Sequence, residues 1–260
     1  MSRLSVVIPT RLQQSVRSGS EHLFLDESVE SVRLSAGDIE ILAGVDLGTQ
    51  IPKMDGVTFV ESHGKNLCAA VNAAAARATG EIISFLEDDD RWHLLFIAEA
   101  LHAIEQGADF VSSTQIEVGQ DGHMIRINDF PTPSGWVMRR KVWDQIGGFD
   151  ESLPVHQDND WLGRLGQSDF KRVHLAESTA PESFALAQSV RPWLAACEQL
   201  GGPNVTLKRH SSPIPLVERL IHESSWLGQV SKEGEHHPGA KADSDRCFRV
   251  VRERYGFVPW

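Results

Sequence analysis

The sequence is short of cysteine, of long apolar runs and of positive charge, and each shortage removes a class of protein. Three scattered cysteines, Cys68, Cys197 and Cys247, form no CxxC pair and leave an odd count. A reducing compartment suits that usage. The longest apolar stretches, such as Ile82–Leu86, fall far short of the roughly 20 residues that a membrane span needs. Met1-Ser2-Arg3 and the short apolar run to Pro9 do not read as a secretory signal, so the cytoplasm is the expected location. Twenty-five Lys and Arg against 36 Asp and Glu leave a formal net charge of −11. A chain of that sign is not expected to coat nucleic acid or an anionic membrane. It can hold a polyanion only locally, through a metal ion or a few placed cations.

What is present is ordinary for a globular protein: 41% hydrophobic and 23% charged residues over 260 positions, enough for one large domain with an appendage. No internal repeat or long low-complexity segment breaks the chain. The first half alternates short apolar strands with helical stretches. Leu4–Pro9, Ile39–Val45, Val57–Val60 and Glu81–Leu86 read as strands, and Glu21–Val32, Asn66–Thr79 and Trp92–Gln106 as helices. Gly80 is placed to end the second helix. Strands separated by helices imply a parallel sheet with right-handed crossovers. After Asp109 the rhythm changes. Phe110–Val118 and His123–Ile127 flank the turn Gly119-Gln120-Asp121-Gly122 as a hairpin. Trp136–Met138 and Lys171–Ala176 read as strands, with helices at Lys141–Ile146 and around Asp158–Leu165. Helical stretches are expected near Arg191–Leu200 and Leu216–Trp226. A polar stretch, Ser231–Asp245, precedes a last amphipathic piece, Arg246–Arg254.

Three features can carry chemistry. Glu87-Asp88-Asp89-Asp90 follows a buried strand directly, at the carboxyl edge where open α/β sheets bind ligands. Packed carboxylates repel unless a cation or hydrogen-bond donors neutralise them, and all-oxygen ligation suits Mg²⁺ or Mn²⁺. The alternative is that the acids cap the following helix. Asp158, opening a helix after Gln157, is either a general base for a hydroxyl or an N-cap. Pro9-Thr10 and Val45-Asp46 end two strands on the same edge, where they contact a ligand or cap a turn.

These pieces occur in a telling order: Ser5–Thr10 (SVVIPT), Val45-Asp46-Leu47-Gly48-Thr49, Asn72 in an alanine-rich helix, and Gly80–Trp92 with its acidic cluster. Gly147-Gly148-Phe149-Asp150-Glu151 and Gln157-Asp158-Asn159-Asp160-Trp161 complete it. The arrangement resembles the family 2 glycosyltransferases of the GT-A fold over residues 1–176. The resemblance implies an α/β fold: a Rossmann-like, mostly parallel central sheet flanked by helices, a small β-hairpin region and a helical C-terminal extension. Residues 1–180 would form the nucleotide-sugar-binding and catalytic domain, and 181–260 an extension on the acceptor side or in a homo-oligomer contact. It implies a metal-dependent, inverting hexosyltransferase acting in polysaccharide assembly. The donor would be a nucleoside-diphosphate sugar, a UDP-sugar above others. The acceptor would be a saccharide or glycoconjugate hydroxyl, and the cofactor Mn²⁺ or Mg²⁺. Pro9, Thr10, Asp46, Asn72 and Asp88 are the implied donor contacts. Glu87 and Asp89 are the implied metal ligands, with a C-terminal histidine drawn from His174, His210, His222, His236 and His237. His237 is preferred, because the His236-His237 pair lies in a polar loop with Pro238-Gly239. Asp158 is the implied catalytic base, with Trp161 and Arg164 supporting its helix.

Four positions depart from the family pattern. Leu47 replaces its second Asp, Val71 its Arg, Glu87 the first acid of its DxD motif, and Gln157 the Glu of its ED motif. Lys65 or Arg77 would be the substitute cation. The alternative to an active enzyme is therefore a non-catalytic nucleotide-binding protein of the same fold. A sugar-phosphate nucleotidyltransferase is disfavoured, since Pro9-Thr10-Arg11-Leu12 is no glycine-rich loop.

Overall fold

The computed structural model describes residues 4–15, 22–178, 205–223, 225 and 239–256. Leu4–Thr10 forms β1, a fully buried strand whose β-branched residues suit the centre of a sheet. Helix α1 (Phe24–Ser35), strand β2 (Ile39–Val45), strand β3 (Val57–Glu61) and helix α2 (Leu67–Arg77) follow. The Asn66 side chain caps α2 by accepting from the Ala69 N–H. Ala78 takes the C-cap position that Gly80 was expected to serve. Strand β4 (Ile82–Phe85), the two-residue β5 (Arg91–Trp92) and helix α3 (Phe96–Glu105) complete the first half.

The expected strand Phe110–Val118 is in fact two. Its first half is β6 (Phe110–Ser113) and its second is β7 (Gln115–Gly119); they lie in different sheets, with Thr114 between them. Pairing of β7 with β8 (Met124–Asn128) gives the expected hairpin. Then come a 3-10 turn at Pro133–Gly135, strand β9 (Val137–Arg139), helix α4 (Arg140–Ile146), helix α5 (Gln157–Gly166) and strand β10 (Arg172–Ala176).

The C-terminal part departs furthest from expectation, because two described segments beyond residue 180 are strands. Val205–Arg209 is β11, which the sequence reading missed, and Val217–Ile221 is β12, where a helix was expected. Leu216, Val217, Leu220 and Ile221 fit either spacing, and parallel pairing of β12 with β7 decides the matter. Residues 191–200, expected to be helical, lie outside the described residues. The last element, α6 (Ala240–Tyr255), begins inside the stretch expected to be polar loop.

The large sheet runs β11-β10-β6-β9-β4-β1-β2-β3, with β9 alone antiparallel to its neighbours. A second sheet, β5-β12-β7-β8, stands beside it. Helices α1 and α3 pack in one core layer with Val6, Ile8, Leu25, Val29, Phe96 and Ile97. The other layer is aromatic, with Phe85, Trp136, Trp143, Phe149 and Trp161 in mutual ring contact. Trp136 and Trp161 lie 4.8 Å apart, so α5 is fixed against the sheet by two fully buried indoles. The family-type α/β architecture expected from the sequence is therefore present.

Candidate active site

The parallel strands β1, β2 and β4 all end on one edge, and the acidic cluster continues from β4 there. Its backbone is pinned from three sides. The Ser28 hydroxyl of α1 lies 2.5 Å from the Asp88 carbonyl and 2.9 Å from that of Asp90. The Glu87 N–H donates to the Ser134 hydroxyl, and the Asp90 N–H to the Glu87 carbonyl. The four acids then take different environments. Asp90 is only 1% exposed; its carboxylate accepts from the Ser134 hydroxyl at 2.5 Å and from the Leu220 N–H at 3.2 Å. It is a structural clasp between the two sheets. Asp88 accepts from the Thr10 hydroxyl at 2.6 Å, which ties the ends of β4 and β1 together. Asp89 lies 2.9 Å from Nε2 of His222, whose ring packs on Phe24 at 5.0 Å.

Among the described residues, the oxygens of Glu87, Asp89 and Asp90 are the one group close enough to share a metal ion, all within 4.8 Å of one another. Burial raises the pKa of Glu87 to about 7, with Asp89 and Asp158 adding repulsion and Arg219 opposing it. Burial likewise raises Asp88 to about 7, helped by Asp89 and opposed by the Thr10 hydrogen bond. In both acids desolvation outweighs the compensation that Arg219 or Thr10 supplies.

The other expected residues divide clearly. Asp46 ends β2 on the same edge, with its carbonyl accepting from the Thr49 N–H. A narrow apolar recess lined by Pro9, Val71, Phe149, Glu87 and Gln157 connects this edge with the start of α5. Gln157 is 7% exposed, and its Oε1 has no hydrogen-bond partner. Asp158 stands in the first turn of α5, with Oδ1 accepting from the N–H and side-chain amide of Asn159. Its charge reaches Glu87 and raises that residue's pKa, so base candidate and acidic cluster share one field. Asn72 faces the turn after α4. Its Oδ1 accepts from the Phe149 N–H at 2.8 Å, and its amide donates to the Phe149 carbonyl and the Glu151 carboxylate. A Cβ on Gly148 would come within 2.4 Å of that Oδ1, so glycine is needed there.

Of the histidines, the structure brings His222 to the cluster. His174 is fully buried on β10 beside the Ser112 hydroxyl, and His210 is buried just after β11. His236 and the preferred His237 lie outside the described residues. Arg77 sits in the last turn of α2, a helix length from the edge at which α2 begins, and does not stand in for the arginine replaced by Val71. Cys68 donates to the Leu153 carbonyl, and burial beside Glu151 and Asp150 pushes its thiol up to about 12, far from a nucleophilic thiolate.

Two groups at the site escaped the sequence reading. Ser134 braces the cluster from the 3-10 turn, with nothing local to announce it. Arg219 of β12 lies 3.6 Å from Glu87, 3.7 Å from Asp90 and 3.9 Å from Glu117. Its signal was hidden because the segment reads equally well as helix.

The turn carrying Asp158 is held from outside by α6. Asp160, 1% exposed, accepts from Arg164, from Arg254 at 2.5 Å and from the Tyr255 hydroxyl at 3.0 Å. His156, in the left-handed region at φ 60°, lies 2.8 Å from the Ser244 hydroxyl. A Cβ on Gly163 would collide with the Tyr255 ring at 2.5 Å, so the two helices meet at van der Waals distance.

Comparisons with known proteins agree with this architecture. S. aureus TarS (residues 1–349), solved in complex with UDP, superposes with a TM-score of 0.57 at 11% identity, covering 97% of this chain and 65% of that one. The mannosyltransferase PcManGT from Pyrobaculum calidifontis, solved with GDP-Man and Mn²⁺, gives a TM-score of 0.50 at 14% identity, over 70% of this chain and 59% of that one. The amylovoran biosynthesis glycosyltransferase AmsB of Erwinia amylovora is 29% identical over 42% of this chain and 46% of its own. The chain thus spans less than two thirds of each. No helix among the described residues is long and apolar enough to cross a membrane. The family described as Glycosyl transferase family 2 matches residues 5–152, more than half of the sequence and the whole edge from β1 to the turn before α5, and the chain belongs to that family.

Proposed function

We propose that the protein transfers a hexosyl unit from a nucleoside-diphosphate sugar to an acceptor hydroxyl by a single displacement that inverts the anomeric centre. The observation that carries the reading is convergence: Asp88 with Thr10, Asp89 with His222, and Asp158 on α5 meet on one sheet edge. Asp46, Pro9 and Thr10 line the base and ribose side of the donor, with Asp88 at the ribose. Oxygens of Glu87, Asp89 and Asp90 form a set that fits Mn²⁺ or Mg²⁺, with the His222 imidazole standing against Asp89. When bound, such an ion would offset the negative charge that grows on the leaving diphosphate. Of the histidines the sequence offered, His222 is the one beside Asp89 among the described residues.

Asp158 is the base in this reading. Both bonds from Asn159 fall on its Oδ1, so Oδ2 is the oxygen turned to the acceptor. That oxygen takes the hydroxyl proton while the acceptor oxygen bonds to the anomeric carbon and the bond to the diphosphate breaks. Asn72, with both polar atoms engaged by residues 149 and 151, positions the turn before α5 rather than the donor directly. The complexes of TarS with UDP and of PcManGT with GDP-Man support a nucleotide-sugar donor and leave its base to experiment.

A second reading rests on Leu47. It is 47% exposed, placing an apolar side chain where the family has a second Asp, and it favours a nucleotide-binding protein without turnover. Incubation with UDP-GlcNAc or GDP-mannose and Mn²⁺, following release of UDP or GDP with and without saccharide acceptors, separates the two. Acceptor-stimulated release supports transfer, whereas tight binding without release supports the second reading.

A further inference from the structure

Among the described residues, Arg219 is the one arginine inserted into the acidic cluster, and its contacts are peculiar. The carboxylates around it are bonded closely by other groups: Asp90 by Ser134 and Leu220, and Glu117 by Arg126 at 2.6 Å and Asn128 at 2.7 Å. Arg219 approaches Glu87, Asp90 and Glu117 only to 3.6–3.9 Å, beyond the 2.7–2.9 Å of a charge-assisted hydrogen bond. Its Nε is buried without a partner. A guanidinium locked into a structural ion pair would use its fork on at least one carboxylate. This one is spread over several carboxylates, with Glu87 its nearest partner and its Nε bonded to none of them. Burial alone would weaken its protonation, and Glu87, Asp90 and Glu117 outweigh that and strengthen it.

Two of those carboxylates, Glu87 and Asp90, also belong to the group whose oxygens are close enough to share a metal ion. We infer that Arg219 is an internal counter-cation that competes with the divalent ion for the acidic cluster. It neutralises Glu87 and Asp90 when the cluster holds no metal, and it yields Glu87 when the ion enters. This rests on the metal-site reading proposed above. It goes beyond it by assigning the second sheet a function: β12 carries Arg219, which opposes the ion, and leads into His222, which holds the ligand Asp89. Metal affinity is thereby set by the balance between them. Glu117, fixed from β8 by Arg126 and Asn128, is the partner toward which the guanidinium withdraws when the ion enters.

The test is titration of the 260-residue protein with Mn²⁺ alone, with free Mn²⁺ read by electron paramagnetic resonance. Removing the charge in Arg219→Gln is expected to tighten Mn²⁺ binding at least about tenfold, since a unit charge at this range in a partly buried site opposes a divalent ion strongly. Arg219→Lys, which keeps the charge, is expected to stay within about threefold of the parent. Equal or weaker binding by a folded Arg219→Gln overturns the inference. Should that variant fail to fold by circular dichroism, Glu117→Gln reads the same competition in reverse. Without that partner, Arg219 leans on Glu87 and Asp90, and Mn²⁺ binding weakens; unchanged or tighter binding overturns the inference. Asp89→Asn separates the two layers of the argument. If it leaves Mn²⁺ affinity intact, the metal site itself is misplaced. If it abolishes binding while Arg219→Gln does not tighten it, the competition alone is wrong.

Discussion

Two acidic groups sit within the same edge of this molecule and are treated in opposite ways. Around Asp160, on α5, every oxygen is answered: Arg164, Arg254 and Tyr255 all donate to one buried carboxylate. Around Glu87-Asp88-Asp89, carboxylates crowd together with one loosely held arginine, one threonine and one histidine. Two of them have pKa values raised to about 7. A saturated carboxylate stabilises and positions, whereas an unsaturated group of them stores unfavourable charge that a ligand can relieve. The contrast is visible without reference to any relative. It also explains why Asp158, two residues from Asp160 on the same helix, stands on a rigid support.

The contrast can be broken at several points. The largest effect is expected from Asp158→Asn, which keeps charge-independent shape but cannot take a proton. Transfer should fall by about 10²–10⁴-fold while nucleotide affinity stays within about twofold, measured by product formation beside calorimetric binding. Full activity in that variant would move the base elsewhere.

The next effect is on stability and its pH dependence. Glu87 and Asp88 have folded-state pKa values above their ordinary ones, so between the ordinary carboxylate range and about pH 7 the folded state binds more protons than the unfolded state. Stability of the metal-free protein should therefore fall as pH rises through that window, and level off above it. Added Mn²⁺ should recover the loss at pH 8 and do little at pH 5. A melting temperature indifferent to Mn²⁺ at pH 8 would mean that the cluster has no appetite for the ion.

The saturated side should respond as scaffold does. Gly163→Ala drives a Cβ into the Tyr255 ring and is expected to cost about 1–3 kcal/mol. Tyr255→Phe removes one hydrogen bond to Asp160 and should cost about 1 kcal/mol. Both are read by urea denaturation, and neither should alter Mn²⁺ binding. If either did, the two groups would be one network rather than two.

Much of this edge was legible in the sequence because its signals are local. A buried strand ending in four acids, an alanine-rich helix before it and a double glycine before Asp158 each declare themselves within a dozen residues. What was missed depends on distant pairing. Val217–Ile221 has spacing that suits either a helix or a strand, and it is a strand because β7 lies beside it. That single misreading hid Arg219, and it left His222 as one of five candidate histidines while His237 was preferred. The expected strand Phe110–Val118 fails for the same reason: its two halves serve different sheets, and nothing within the run says so. Ser134 braces Glu87 and Asp90 from 44 or more positions away, a partnership no local pattern encodes. Asn72 was read as a donor contact from its place in the family order, while its two polar atoms turn to residues 149 and 151.

The central claim is that the unsaturated cluster is a metal-assisted nucleotide site. Isothermal titration with UDP, GDP, CDP and dTDP, each with and without Mn²⁺, on the parent protein and on Asp89→Ala, tests it most directly. The account predicts selective binding of one nucleotide, strengthened by Mn²⁺ and weakened at least about tenfold in the variant. Binding that ignores both Mn²⁺ and Asp89, or no binding of any of the four, would contradict it.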